Sequence, residues 1–181
     1  MAEKQPIFIL SDNIERTIGK DAQRNNILAA KLISDAIKTT LGPKGMDKML
    51  VDGTGDITIT NDGVTILEKM EIEHPAAKMM VEISKTQEKE VGDGTTTAVM
   101  IAGKLLENAE KLLDMKVHPT VIAKGYNIAA KKSLEFLDIL SIDFNDQKSI
   151  LKNIVRTAIT GKGAETFREK FSDIIIESIS Q

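Results

Sequence analysis

Residues 91–97 read Val-Gly-Asp-Gly-Thr-Thr-Thr and stand directly before the most regular amphipathic helix that the sequence predicts, residues 95–113. Two glycines free the backbone there, and the positive end of the helix dipole favours an anion at the first amides. Three successive hydroxyls can donate to phosphate oxygens, and the Asp93 carboxylate can hold a hard cation such as Mg²⁺. An ordinary helix cap by Asp or Thr is the alternative. The segment therefore predicts either a phosphate site or a cap, and both stay open at this point.

Helical periodicity extends over most of the chain and predicts a mainly α fold. Apolar residues recur at three- and four-residue spacing in residues 21–40, 62–69, 75–89, 95–113, 119–137, 148–159 and 164–180. In the first of these segments, two rows at positions 28, 32, 36 and 29, 33, 37 predict one wide buried face. In the third, we expect Met79, Met80 and Ile83 to face the core.

One short stretch breaks the helical pattern. Residues 57–60 read Ile-Thr-Ile-Thr, which alternates with period two and is β-branched throughout. This stretch follows residues 46–51 across the turn Asp-Gly-Thr-Gly-Asp at 52–56. We therefore predict a small β-hairpin within the helical chain.

Three further loops carry residues suited to phosphate chemistry. Residues 39–45, Thr-Thr-Leu-Gly-Pro-Lys-Gly, predict either a glycine turn that lets a phosphate approach closely or a helix end followed by a plain turn. In residues 59–64, Ile-Thr-Asn-Asp-Gly-Val, the Asp62 carboxylate either orients a water, helps to ligate a metal, or caps the next helix. In residues 160–163, Thr-Gly-Lys-Gly, Lys162 either reaches a terminal phosphate as a point charge or lies in a solvated turn.

The composition excludes several function classes. The 181 residues include 24 Lys+Arg and 27 Asp+Glu, a net charge of −3, so we expect no broadly basic surface for nucleic acid. Cysteine is absent, which excludes disulfides, thiol catalysis and cysteine-ligated zinc, and two histidines cannot build a histidine-rich metal site. No segment approaches the ~18 apolar residues of a membrane span, and the apolar run at residues 7–10 is too short for a secretory signal. We therefore expect a cytoplasmic protein with neither nucleic-acid nor membrane partners.

Taken in order, the four loops resemble those of the chaperonins, the ring-forming, ATP-driven protein-folding machines. The matching stretches are residues 40–50, 60–67, 92–97 and 160–165. The forms Gly-Met-Asp-Lys-Met-Leu at 45–50 and Thr-Gly-Lys-Gly-Ala-Glu at 160–165 resemble group II, the archaeal thermosome and its cytosolic TCP-1 ring relatives. The low aromatic content and the lack of cysteine favour an archaeal thermosome subunit.

The resemblance implies a domain division and a set of site residues. Residues 1–146 would form the N-terminal half of a helical equatorial nucleotide-binding domain with a small hairpin, and residues 147–181 would begin an α/β intermediate domain. Asp62 would position the attacking water as the catalytic carboxylate, and Asp93 would ligate Mg²⁺. The implied nucleotide-binding residues are Thr40, Leu41, Gly42, Pro43, Asn61, Gly94, Thr95, Thr96, Thr97, Gly161 and Lys162.

The resemblance also implies ligands and partners. These are ATP or ADP with Mg²⁺, other chaperonin subunits of a double ring, and a hairpin near residues 46–60 that pairs with a neighbouring subunit's terminal strands. Family members are far longer, so we expect this chain to lack the apical domain that binds unfolded clients, a second catalytic aspartate and part of the adenine pocket. Two other hypotheses stay open: a nucleotide-binding or ring-assembly module that does not hydrolyse ATP by itself, and a purely structural helical domain.

Overall fold

The computed structural model describes residues 17–142, 148–160, 163 and 165–180, and within them the fold is mainly α with one small hairpin. The helices are α1 (Gly19–Ile37), α2 (Gly63–Lys69), α3 (Pro75–Val91), α4 (Thr95–Asp114), α5 (Pro119–Leu140), α6 (Lys148–Ile159) and α7 (Arg168–Ile179). Short 3₁₀ turns at Lys38–Thr40 and Glu165–Phe167 replace the last turn of the first predicted helix and the first turn of the last one. The predicted fold class is confirmed, and the other predicted helices agree with the structure to within a few residues.

Helix starts follow the local capping chemistry of the sequence. The Asp62 carboxylate accepts a hydrogen bond from the Thr65 amide at 3.0 Å and so caps α2. At the starts of α3 and α5, His74 and His118 each accept the amide two residues on through Nδ1, and a proline occupies the first turn. These interactions act over a few residues, which is why the sequence predicts the starts well.

The predicted hairpin is present. Strand β1 (Lys48–Val51) pairs antiparallel with β2 (Ile57–Thr60), with Val51 opposite Ile57. The Asp52 carboxylate closes the turn because it accepts hydrogen bonds from the Thr54 amide and hydroxyl at 2.9 and 2.7 Å. The hydroxyl hydrogen bond is also the main reason that the pKa of Asp52 lies below its ordinary value.

The core lies among α1, α2, α3 and α4. Helices α1 and α4 run antiparallel, since Arg24 pairs with Asp114 while Ser34 lies against Gly103. A Cβ added at Gly103 would lie 2.4 Å from the Ser34 Cβ, so the two backbones approach more closely than side chains allow. The buried apolar cluster consists of Ala30, Ile33, Ile37, Ile66, Leu67, Ala77, Met80, Val81 and Val99.

The predicted buried faces of α1 and α3 are partly wrong. Leu28 and Leu32, expected in the core, are 55% and 60% exposed, whereas Ile33 and Ile37 of the second predicted row are buried as expected. The buried face of α1 continues beyond that second row, to Ala30 and Ser34. In α3, Met79 is 69% exposed and Ile83 is also exposed, whereas the expected Met80 is buried. Small residues mark the point of closest approach between α1 and α4, where Ser34 lies against Gly103.

Among the described residues, no helix is both long enough and apolar enough to cross a membrane.

Candidate functional site

Three loops that are far apart in the sequence line one cavity of about 440 Å³, together with the end of α6. Each predicted site residue within the described part of the chain lies in its wall: Thr40, Leu41, Gly42, Pro43, Asn61, Asp62, Asp93, Gly94, Thr95, Thr96 and Thr97. The remaining two, Gly161 and Lys162, lie outside the described residues. The fold therefore brings together residues from three loops that the sequence alone could only name one by one.

The start of α4 forms one wall of the cavity. Gly94 is the N-cap residue, has φ of +77°, and carries no side chain that could cap the helix. Asp93 instead accepts from the Gly94 amide at 2.8 Å, one residue before the helix begins. The first turn, Thr95 to Thr97, therefore lines a cavity at the positive end of a 20-residue helix, which is the arrangement that favours an anion.

The start of α2 forms a second wall, directly against the first. One Asp62 oxygen accepts from both the amide and the hydroxyl of Thr65, at 3.0 and 2.7 Å, so the predicted cap is present. The same half-buried carboxylate lines the cavity, and a carboxylate has acceptor capacity beyond one cap. A Cβ added at Gly63 would lie 2.4 Å from the Thr96 hydroxyl oxygen, which shows how tightly the two helix starts adjoin.

The turn after α1 supplies the third wall. The Thr40 hydroxyl is buried and donates to the Ile37 carbonyl at 2.7 Å. Gly42 has φ of +83°, and its carbonyl accepts from the Gly45 amide at 2.9 Å. The segment is thus the helix end and turn that the sequence allowed, and residues 40–43 of that turn also line the cavity.

The cavity fits a magnesium ion that is carried by a phosphate ligand. The described residues contain no group of three or more His, Cys, Asp or Glu side chains that could hold a metal ion by themselves. Mg²⁺ is commonly bound through one or two carboxylates together with substrate phosphates, and Asp93 and Asp62 both line the cavity. The donor set therefore suits this ion only with a phosphate present.

Sequence reasoning missed the contribution of α6 to the cavity. Thr157, Ala158 and Thr160 complete the wall. The hydroxyls of Thr157 and Thr160 donate back to helix carbonyls, to Asn153 at 2.8 Å and to Arg156 at 2.7 Å. No local signal marks Thr157 and Ala158, because they are ordinary helix residues until the fold brings α6 to this cavity.

Ion pairs join α6 to α7. Lys152 lies 2.6 Å from Asp173 and 3.5 Å from Glu169, and Arg156 also pairs with Glu169. The hydrogen bond to Asp173 is the main reason that the pKa of Lys152 is raised, and the hydrogen bond from Arg156 is the main reason that the pKa of Glu169 is lowered. These pairs connect the helix that ends at the cavity with the helix that follows it.

Fold and cavity together define a mainly helical protein with a cavity of about 440 Å³ at the start of a long helix. Residues 33–181 match the TCP-1/cpn60 chaperonin family, and the chain belongs to that family. It is 58% identical over 181 residues to a thermosome subunit of Methanothermococcus thermolithotrophicus, covering 99% of this chain and 33% of that protein. It is 58% identical over 178 residues to the thermosome subunit beta of Methanothermobacter thermautotrophicus, covering 98% and 33%. It is 55% identical over 177 residues to the thermosome subunit alpha of Archaeoglobus fulgidus, covering 97% and 32%.

These comparisons confirm the resemblance to group II chaperonins of the archaeal thermosome type, and the chain corresponds to their N-terminal portion. The chain spans about a third of the length of the curated relatives it matches.

Proposed function

We propose that this chain binds Mg-ATP in the cavity and hydrolyses it, as part of a cytoplasmic chaperonin subunit that drives the folding of unfolded proteins inside a double ring. One observation carries the proposal: three separated loops converge at the start of α4, where the N-cap is a glycine. The volume of about 440 Å³ lies within the range of roughly 300–1,000 Å³ that is usual for small-molecule sites.

In this proposal different segments of the cavity wall bind different parts of the nucleotide. Residues 94–97 hold the phosphates, through the amides and hydroxyls at the positive end of α4. Residues 40–43, in another part of the wall, bind nucleotide and phosphate. Asn61 is half-buried and also lines the cavity. We extend the site to Gly161 and Lys162 on the sequence alone, with Lys162 as the cation that senses the terminal phosphate.

Hydrolysis in this proposal depends on position and charge. Asp62 is fixed by its bonds to Thr65 and lines the cavity, so its remaining acceptor capacity can orient a water for attack. Asp93, whose carboxylate accepts a hydrogen bond from the Gly94 amide, would hold the cation. A bound Mg²⁺ would neutralise charge that develops on the phosphate oxygens.

The ring partners of the proposal contact the hairpin. Four side chains of β1 and β2 form an apolar face in which each is more than 60% exposed: Met49, Val51, Ile57 and Ile59. An exposed apolar hairpin face with open strand edges suits pairing with a neighbouring subunit's strands. We also propose the division into an equatorial part, residues 1–146, and the beginning of an intermediate domain, residues 147–181.

A nucleotide-binding or ring-assembly module that does not hydrolyse ATP is the second candidate. The share of the relatives that the chain covers, about a third, favours it, since whole-subunit activity then depends on further residues. The two candidates agree on binding and differ only in turnover.

Calorimetric binding of Mg-ATP and phosphate release test both candidates. We expect Asp93→Ala to abolish binding of Mg-ATP, and Asp62→Ala to leave binding largely intact while slowing hydrolysis. Asp138→Ala is the matched control, because Asp138 is exposed on α5 and does not line the cavity. Unaltered binding in Asp93→Ala would refute the site assignment, whereas tight binding without phosphate release in the unaltered chain would favour the second candidate.

A further inference from the structure

One side chain outside the cavity holds the loop that carries Asp93. The Gln87 amide nitrogen donates to the Asp93 carbonyl oxygen at 2.9 Å, six residues along the chain. Gln87 is half-buried near the end of α3 and is not part of the cavity wall. It can therefore influence a bound ligand only through the loop itself.

The loop has little intrinsic rigidity of its own. Gly92 and Gly94, on either side of Asp93, have φ of +78° and +77°, and glycine leaves this region readily because it has no Cβ. The flanking backbone bonds, from the Gly92 amide to Glu88 and from the Ala98 amide to Gly94, belong to the ends of α3 and α4. Neither of these two bonds involves the peptide group between Asp93 and Gly94.

That peptide group links Gln87 to the carboxylate. The Asp93 carbonyl and the Gly94 amide lie in one planar unit, so fixing the carbonyl also fixes the direction of the N–H. The same N–H donates to Asp93 Oδ1 at 2.8 Å. A chain of contacts therefore runs from the Gln87 amide through one rigid plane to the carboxylate at the cavity wall.

We infer that Gln87 is a positioning residue, which orients the Asp93 carboxylate toward the cation that accompanies a bound nucleotide. This inference rests on the proposed Mg-ATP site and adds a residue to it. A side chain that merely stabilised the end of α3 would affect folding, whereas a positioning residue affects the cation specifically. The distinction is measurable.

The test compares ATP binding by the full chain at varied Mg²⁺ concentration and in EDTA. Gln87→Met keeps the length of the side chain and removes the donor, and Gln87→Glu keeps its shape and puts an acceptor against the carbonyl. Thr86→Val is the matched control, one residue earlier on an exposed position of the same helix. Loss of one neutral hydrogen bond should raise the half-saturating Mg²⁺ concentration about fivefold in Gln87→Met. We expect a larger increase in Gln87→Glu, no change in Thr86→Val, and unchanged ATP affinity in EDTA for all three.

A spectroscopic signature and three contrary outcomes complete the test. With Mn²⁺ in place of Mg²⁺, we expect the electron paramagnetic resonance spectrum of the nucleotide complex to broaden in Gln87→Met and not in Thr86→Val. If Asp93→Asn changes the Mg²⁺ dependence and Gln87→Met does not, Gln87 has no positioning role. Equal losses of affinity with and without Mg²⁺ in Gln87→Met would likewise overturn it. If the unaltered chain fails to bind ATP at all, the proposed function fails, and this inference fails with it.

Discussion

Replacing Gly63 by alanine perturbs the point where two walls of the candidate site meet. Gly63 is the first residue of α2, and its missing side chain leaves room for Thr96 at the start of α4. Both residues line the cavity. The substitution adds one methyl group and no charge, so its effects report packing alone.

The coordinates set the size of the expected effect. The new Cβ would lie 2.4 Å from Thr96 Oγ1, which is 3.4 − 2.4 = 1.0 Å short of ordinary contact. Rotation of the hydroxyl would not remove the conflict, because the Thr96 amide nitrogen and Cα would still lie at 3.2 and 3.3 Å. Overpacking of this kind costs about 1–3 kcal/mol, and alanine in a helix recovers at most about 1 kcal/mol of it. We therefore expect a net loss of about 1–2 kcal/mol in the free energy of unfolding.

We expect Gly63→Ala to reduce the rate of ATP hydrolysis more than it reduces the stability of the fold. If α2 moves away from α4 by several tenths of an ångström, Asp62 moves away from residues 94–97, where we propose that the phosphates bind. Small displacements of catalytic groups cost on the order of 10²-fold in rate, so we expect hydrolysis to fall much more than ATP affinity. Urea denaturation, calorimetric ATP binding and phosphate release measure the three quantities.

Two other glycines provide matched controls. Gly103→Ala would place its Cβ 2.4 Å from the Ser34 Cβ, between α1 and α4 and outside the cavity wall, so it should lower stability with little effect on ATP binding by the folded chain. Gly125→Ala meets nothing within 4 Å on α5 and should raise stability by up to about 1 kcal/mol. The reasoning is refuted if Gly63→Ala is as stable as Gly125→Ala, or if Gly103→Ala impairs ATP binding as strongly as Gly63→Ala does.

Three more predictions concern residues away from the cavity. Ser84 is fully buried, and its hydroxyl has no hydrogen-bond partner among the described residues, so Ser84→Ala should raise the free energy of unfolding by about 1 kcal/mol. Urea denaturation measures this change, and a lower free energy of unfolding in the variant would show that the hydroxyl has a partner. The pKa of Asp52 is lowered, chiefly by the Thr54 hydroxyl, so its stabilisation of the hairpin is complete above the unfolded-state pKa and is lost as the pH falls through the folded-state value. Amide-exchange protection factors in the hairpin, taken relative to the intrinsic exchange rate at each pH, should therefore fall in acid in the unaltered chain and should already be low at neutral pH in Asp52→Ala. Lys152→Met removes the ion pair with Asp173, so amide exchange should accelerate in α6 and α7 while α1 to α4 keep their protection. An equal increase of the exchange rate in all of these helices would contradict this local role.

Most helices and strands can be predicted from the sequence because the patterns that mark them extend over only a few residues. Asp62 precedes α2 and caps the amide of Thr65 in its first turn, and His74 and His118 each precede a proline in a helix's first turn. Period-two alternation at residues 57–60 likewise predicts a strand without knowledge of its neighbours. These signals locate the elements to within a few residues because capping and backbone preference act over one turn.

Burial was harder to predict for a physical reason. The Leu28 and Leu32 row is as apolar as any in α1, yet it is exposed, while Ala30 and Ser34 face α4. Hydrophobic periodicity identifies a stripe, but contact with the other helices decides which side of that stripe is buried, and in α1 it is the side with Ile33 and Ile37. That selection depends on Gly103, which lies about 70 residues further along the chain.

The amino-acid sequence was enough to locate the elements, to name four loops with residues suited to phosphate binding and, through the joint resemblance of those loops, to indicate the chaperonin family. The packing of the folded chain was needed to show that residues 40–43, 61–63 and 93–97 share one cavity, that Thr157 completes it, and that Gln87 holds the loop around Asp93. Secondary-structure preference acts between neighbouring peptide groups and therefore depends on consecutive residues. Convergence of distant loops depends instead on how whole helices pack, and that is set by contacts between residues far apart in the chain.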